Sequence, residues 1–254
     1  MDIIVYNRST IITDDEVRLM VKACNVLMKQ VCAAWNRLPV NISFITWIEP
    51  DAYYTFYVLD SDGGDPNKTS YHSEAYGKIV GYVFAKTILK NGGAILYKDN
   101  STYTIASALF QEIAQALINP YVNTWWKMNS TTLAAGEICD PVHYNIVVIT
   151  VQDDLSTNSN QCNNRQQIKK VEVGLSDFVY PAWHNPLGKT LANPKICNDK
   201  FYQYNYKKTL SAPFTTSGGG FIMTLNINTK TITKVFGKDI TPQQKKLITK
   251  SIRF

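Results

Sequence analysis

Residues 104–120 carry the chain's most chemically suggestive spacing, Gln111-Glu112-x-x-Gln115. On a helix, positions i and i+4 share one face. Two ligands so placed reach one metal ion, and a Glu beside the first can activate the bound water. Zinc prefers imidazole, thiolate or carboxylate donors, whereas Gln111 and Gln115 offer neutral amides. Taken alone, the segment reads as a polar stripe on an amphipathic helix. Glu137, Asp140 and His143 follow at i, i+3 and i+6, and His72 and His184 are the other imidazoles. On their own these two read as ordinary hydrogen-bonded histidines.

The neighbouring segments extend the pattern. They are Ser70-Tyr71-His72-Ser73-Glu74 and Gly81-Tyr82-Val83-Phe84-Ala85-Lys86, then Asn119-Pro120-Tyr121-Val122-Asn123 after the helix. Ala135-Gly136-Glu137-Ile138-Cys139-Asp140-Pro141-Val142 and Leu175-Ser176-Asp177-Phe178-Val179-Tyr180-Pro181-Ala182-Trp183 come next, and Gly218-Gly219-Gly220-Phe221 closes the series. In this order, over about residues 67–227, the chain resembles a family of zincin-like metallopeptidases of bacteria, phages and large DNA viruses. Its members carry Gly-Tyr-His, Gly-Lys-Val-Phe, Ser-His-Glu-x-x-Glu, Asp-Pro-x-x-Asn, Glu-Val-Cys-Asp-Pro-Val and Val-Ser-Asp-Phe-Val-x-Pro-x-Trp. The resemblance implies a zincin-like fold, with Glu112 at the catalytic position and the third metal ligand in the Glu137–Asp140 element. The two helix ligands are replaced by Gln111 and Gln115.

A catalytic zinc needs three good protein ligands, so the expectation is a degenerate site with no catalytic residue, metal or cofactor. Calcium bound through amide oxygens with Glu112, Glu137 and Asp140 is the weaker alternative. Without an ion, the Gln111 and Gln115 amides are free to hydrogen-bond nearby carboxylates and hold the helix against the Glu137–Asp140 segment. Glu112, with no metal charge to balance, is expected to be semi-buried and to tolerate replacement by Gln.

The 254-residue chain, 45% hydrophobic and 12% aromatic, has the makings of a substantial core. Thr13-Asp14-Asp15-Glu16 is a capping box before a helix reaching Trp35, and Asn36-Arg37-Leu38-Pro39 stops it. Residues 40–48, 52–60, 77–87, 171–174, 177–181 and 220–227 read as strands. Thr102 or Thr104 caps the site helix, and Pro120 ends it. Residues 153–167 look like an exposed, mobile insertion, and Thr241-Pro242-Gln243-Gln244 starts a short helix.

The fold expectation is α+β: one zincin-like domain over 1–227, its mixed sheet packed on a long N-terminal helix and the site-bearing helix. A basic C-terminal extension occupies 228–254. It holds seven basic residues against Asp239 alone, so its charge balance equals that of the whole chain. Lys238, Lys245, Lys246, Lys250 and Arg253 are therefore the candidate partner-binding residues, for an acidic partner.

Five scattered cysteines without a C-x-x-C pair argue against a disulfide framework or a zinc knuckle. No apolar run approaches the length of a membrane span, and the first residues read as a strand, not a signal peptide. Phosphate-binding, dinucleotide-binding and nucleophile-elbow motifs are absent. The chain is expected in a virion or the host cytoplasm, not secreted. There it would be a non-enzymatic, metallopeptidase-like structural or assembly protein, such as a minor capsid or capsid-associated protein with capsid or virion proteins as partners. A divergent metal-dependent hydrolase using Glu112, Glu137, Asp140 and a histidine is the alternative.

Overall fold

The computed structural model describes residues 1–47, 52–154, 169–185 and 203–238. Among the described residues the chain is α+β, with three sheets and few helices. Strand β1 (Asp2–Asn7) leads to helix α1 (Asp14–Ala34). The helix opens on the Thr13–Glu16 capping box, with Asp14, Asp15 and Glu16 set against the positive end of its dipole. Its apolar residues Val17, Met20, Cys24, Leu27 and Val31 recur on one face and are buried.

Strands β2 (Asn41–Phe44), β3 (Tyr54–Leu59), β4 (Ser70–Ala75) and β5 (Lys78–Phe84) join β1 in a five-stranded sheet of order β2-β1-β3-β5-β4. All pairings are parallel except β4 with β5. Tyr76 and Gly77, both at positive φ, make the tight β4–β5 turn. The expected strand over 77–87 ends early, because Ala85–Lys90 winds into the short helix α2.

Helix α3 (Ile105–Ile118) lies at the centre of the molecule, against α1, β3, β4, β5 and β9 (Lys169–Ser176). It opens on Thr104, whose hydroxyl accepts from the Ser107 amide while Ser107 Oγ accepts from the Thr104 amide. All of its residues are buried. The expected amphipathic helix is therefore corrected to a central one, apolar nearly all round with a single charged residue, Glu112.

Beyond α3, β6 (Trp125–Lys127) and β7 (Thr132–Ala135) join β10 (Phe221–Asn226) and β11 (Thr231–Phe236) in an antiparallel sheet of order β11-β10-β7-β6. Among the described residues, β8 (Ile146–Asp153) pairs with β9 alone. The expected strand over 177–181 is not one. Val179 makes an isolated bridge to Asn205, and Pro181–His184 is a 3-10 turn with proline at its start. β11 carries the folded body past the expected boundary at 227, so Lys230 and Lys234 flank or sit in a strand instead of a tail. The rest of the extension after Lys238, including its expected helix, and most of the 153–167 insertion lie outside the described residues. Among the described residues, no helix is long and apolar enough to cross a membrane.

Candidate functional site

The i, i+4 spacing places Gln111 and Gln115 on one face of α3, and both are fully buried. Their amide nitrogens donate to the same atom, Asp140 Oδ1, at 3.3 and 2.7 Å. Asp140, also buried, opens a 3-10 turn over Asp140–Val142 with Pro141 behind it. Two amides and one carboxylate thus meet where the resemblance implies two helix ligands and a third from the Glu137–Asp140 element. The clasp expected from the sequence is present.

Asn119, at i+8 from Gln111, continues the stripe. Its Nδ2 donates to Glu137 Oε1 at 3.0 Å, and its Oδ1 accepts the Asn123 and Thr124 amides at 3.1 and 2.9 Å. The sequence reading missed Asn119, although the 111/115/119 spacing was there to see. Three side-chain amides therefore face the two buried carboxylates of the 137–140 segment. Each amide supplies N–H donors without bringing a charge, which lets those carboxylates stay buried with hydrogen bonds.

Glu112 turns the other way, towards β4. Because side chains alternate along a strand, Ser70 and His72 both face α3. Ser70 Oγ donates to Glu112 Oε1 at 2.7 Å, and His72 Nδ1 lies 2.9 Å from Glu112 Oε2. His72 Nε2 is 3.1 Å from the Asn119 carbonyl, which can only accept, so this nitrogen carries hydrogen. One proton is then shared between Nδ1 and Oε2, giving either an imidazolium–carboxylate pair or two neutral groups. Both side chains are almost wholly shielded from water. This corrects two expectations: Glu112 is fully buried and has a partner to balance, and His72 is part of the site.

The structure thus brings together Gln111, Gln115 and Asp140, and separately Glu112 with His72. It does not converge Glu112 with Glu137 and Asp140. His143 instead stacks on Tyr103 (centroids 4.8 Å apart) and meets Tyr144 and Phe221 edge-on. Among the described residues, no three of His, Cys, Asp and Glu gather as metal ligands.

The donor set does not fit a zinc ion. The amides present N–H groups to Asp140 Oδ1, and Ser70 and His72 engage the two Glu112 oxygens. Gln111 Oε1 is buried without a hydrogen-bond partner, but one such oxygen falls well short of the six to eight that calcium takes.

One further feature fixes the 137–142 segment. Gly220 runs directly under it, and a Cβ there would collide with the Pro141 carbonyl. The Gly218–Gly220 run is thus a close backbone approach as well as a turn. Asp177 accepts from Asn205 and Asn145 side chains at 2.6 and 3.3 Å and from the Phe178 and Lys207 amides at 2.8 and 3.3 Å. Burial pushes its carboxyl up to about 6, against the downward pull of those donors.

Of the candidate partner-binding residues, Lys238 is exposed beyond β11. Lys245, Lys246, Lys250 and Arg253 lie outside the described residues. Comparison of the chain with protein-family models, with curated proteins and with solved structures returned no match, so the chemistry of the site has to be taken from these residues themselves.

Proposed function

We propose that this chain is a non-enzymatic, metallopeptidase-like protein, its zincin-type site rebuilt as a hydrogen-bonded clasp, and that it serves as a structural or assembly component of a virion. The observation that carries the reading is the convergence of Gln111 and Gln115 on Asp140 inside the protein. Those positions are where the sequence resemblance puts three metal ligands, and their chemistry is now that of donor and acceptor. Glu112, which would serve as general base, is shielded and bonded to Ser70 and His72. A peptide bond would have to lie within hydrogen-bond reach of that carboxylate for proton transfer. A clasp of this kind ties α3 to the 137–142 segment and stiffens a body on which other proteins can assemble.

The placement in a virion, as a minor capsid or capsid-associated protein, rests on the family resemblance. The basic residues from Lys238 onward suit an acidic face on a partner. The divergent-hydrolase reading would need Glu112, Glu137 and Asp140 on one ion, and their hydrogen bonds point in different directions. Cross-linking in intact particles, paired with a peptide-cleavage assay in added zinc, tests the proposal. The expected result is cross-links to capsid or virion proteins and no cleavage. Turnover that is abolished in Glu112→Gln, or a protein with no neighbour in particles, would overturn it.

A further inference from the structure

His184 ends the 3-10 turn Pro181–His184 and is 4% exposed. Its ring lies in a box of aromatic side chains from four parts of the chain. Trp183 is 4.7 Å away between centroids, Trp126 of β6 5.1 Å, Trp35 at the α1 C-cap 5.3 Å and Phe214 6.5 Å. Two indoles are pinned in place, Trp35 Nε1 donating to the Val179 carbonyl at 3.1 Å and Trp183 Nε1 to that of Thr215 at 2.8 Å. Among the described residues, neither His184 nitrogen has a well-formed hydrogen bond. A neutral imidazole fills such a box as an aromatic ring, whereas an imidazolium brings a buried charge and a second N–H donor, a cost that the aromatic faces and the Tyr180 carbonyl offset only in part.

We propose that His184 is an acid-sensitive latch: neutral, it holds the α1 terminus, β6 and the 211–217 segment together, and protonation releases that junction while the rest of the fold persists. Among the described residues, the titratable groups on the packed elements do not offset the charge. Arg37 beyond Trp35, Lys127 beside Trp126, and Lys207 and Lys208 before Phe214 are cations. Asp177 is committed to Asn145 and Asn205, and the Tyr180 phenol, raised by burial to about 12, stays neutral.

Burial pushes the imidazole down to about 3, with a smaller upward pull from the Tyr180 carbonyl. An imidazole released to solvent titrates near 6.5. The closed junction is therefore fully stable above pH 6.5 and loses stability as pH falls towards 3. Between pH 7.5 and 5 the open population should rise about 30-fold.

The test is amide hydrogen exchange at Trp35, Trp183 and Phe214, corrected for the chemical exchange rate, in the full-length protein. Protection at these sites should fall about 30-fold from pH 7.5 to 5, with helix content by circular dichroism unchanged. His184→Phe, which fills the box with an uncharged ring, should remove the pH dependence. Should that variant not fold, the wild-type imidazole can be titrated directly by NMR. Titration near 6.5 with unchanged protection would mean that the box tolerates the imidazolium and would overturn the proposal, as would equal pH dependence in His184→Phe.

Discussion

Replacing His72 with Leu removes one half of a pair that water does not reach. Glu112 would keep the Ser70 hydroxyl at 2.7 Å but lose its partner on Oε2, and the Asn119 carbonyl would lose a donor at 3.1 Å. Breaking a buried pair from one side costs about 3–5 kcal/mol, because the remaining charge or donor is left uncompensated. For a chain of this size that lowers the melting temperature by roughly 6–20 °C. Glu112→Gln is different. Its amide oxygen can accept from Ser70 and its NH2 can donate to a neutral His72 Nδ1, so every bond survives and the cost stays within about 1 kcal/mol. The sequence alone suggested the same small effect for another reason, the absence of a metal charge to balance. Unfolding in denaturant of His72→Leu, Glu112→Leu and the double variant separates the two. The pair requires the double variant to be at least about 2 kcal/mol less costly than the summed singles. A His72→Leu cost below about 1 kcal/mol, or strict additivity, would refute the pair.

Gln115→Glu should set a second carboxylate against Asp140 and cost about 3–5 kcal/mol at pH 7. The pair would hold a proton in the folded state, so the loss should shrink as pH falls towards 4, and equal cost at both pH values would count against the clasp. Gly220→Ala should cost about 1–3 kcal/mol, because the added carbon meets the Pro141 carbonyl and backbone must shift; unchanged stability in a thermal melt would show that the segment yields freely. Asp177, with a folded value near 6 against 3.8 unfolded, makes the protein lose about 2 kcal/mol as pH rises from 4 to 6. Asp177→Asn should remove that slope in a denaturant series, and identical slopes would place the carboxyl in the ordinary range.

The positions of α1, α3 and the parallel strands were legible because capping residues and apolar periodicity are local signals. Thr13 and Thr104 cap as expected, and Gln111 and Gln115 hold the Asp140 segment as their amide chemistry suggested. What escaped the sequence is what depends on tertiary neighbours. Residues 70–75 carried no strand assignment and His72 read as an ordinary hydrogen-bonded histidine, and only the pairing of β4 with β5 turns Ser70 and His72 towards Glu112. Residues 177–181 have strand-like composition, but Asp177 takes up the surrounding backbone and amide donors, so the segment bends around it. Burial of all of α3 was also missed, since three polar side chains looked like a wet face before their partners were known.

The central claim is that the 111/115/140 cluster is a hydrogen-bonded clasp. Native mass spectrometry of the full-length protein purified in the presence of zinc, backed by elemental analysis, tests it most directly. The clasp predicts less than a tenth of an equivalent of zinc, on the order of what adventitious surface binding leaves once two of three ligands are amides. Near one equivalent of tightly held zinc, lost on Asp140→Ala, would contradict it.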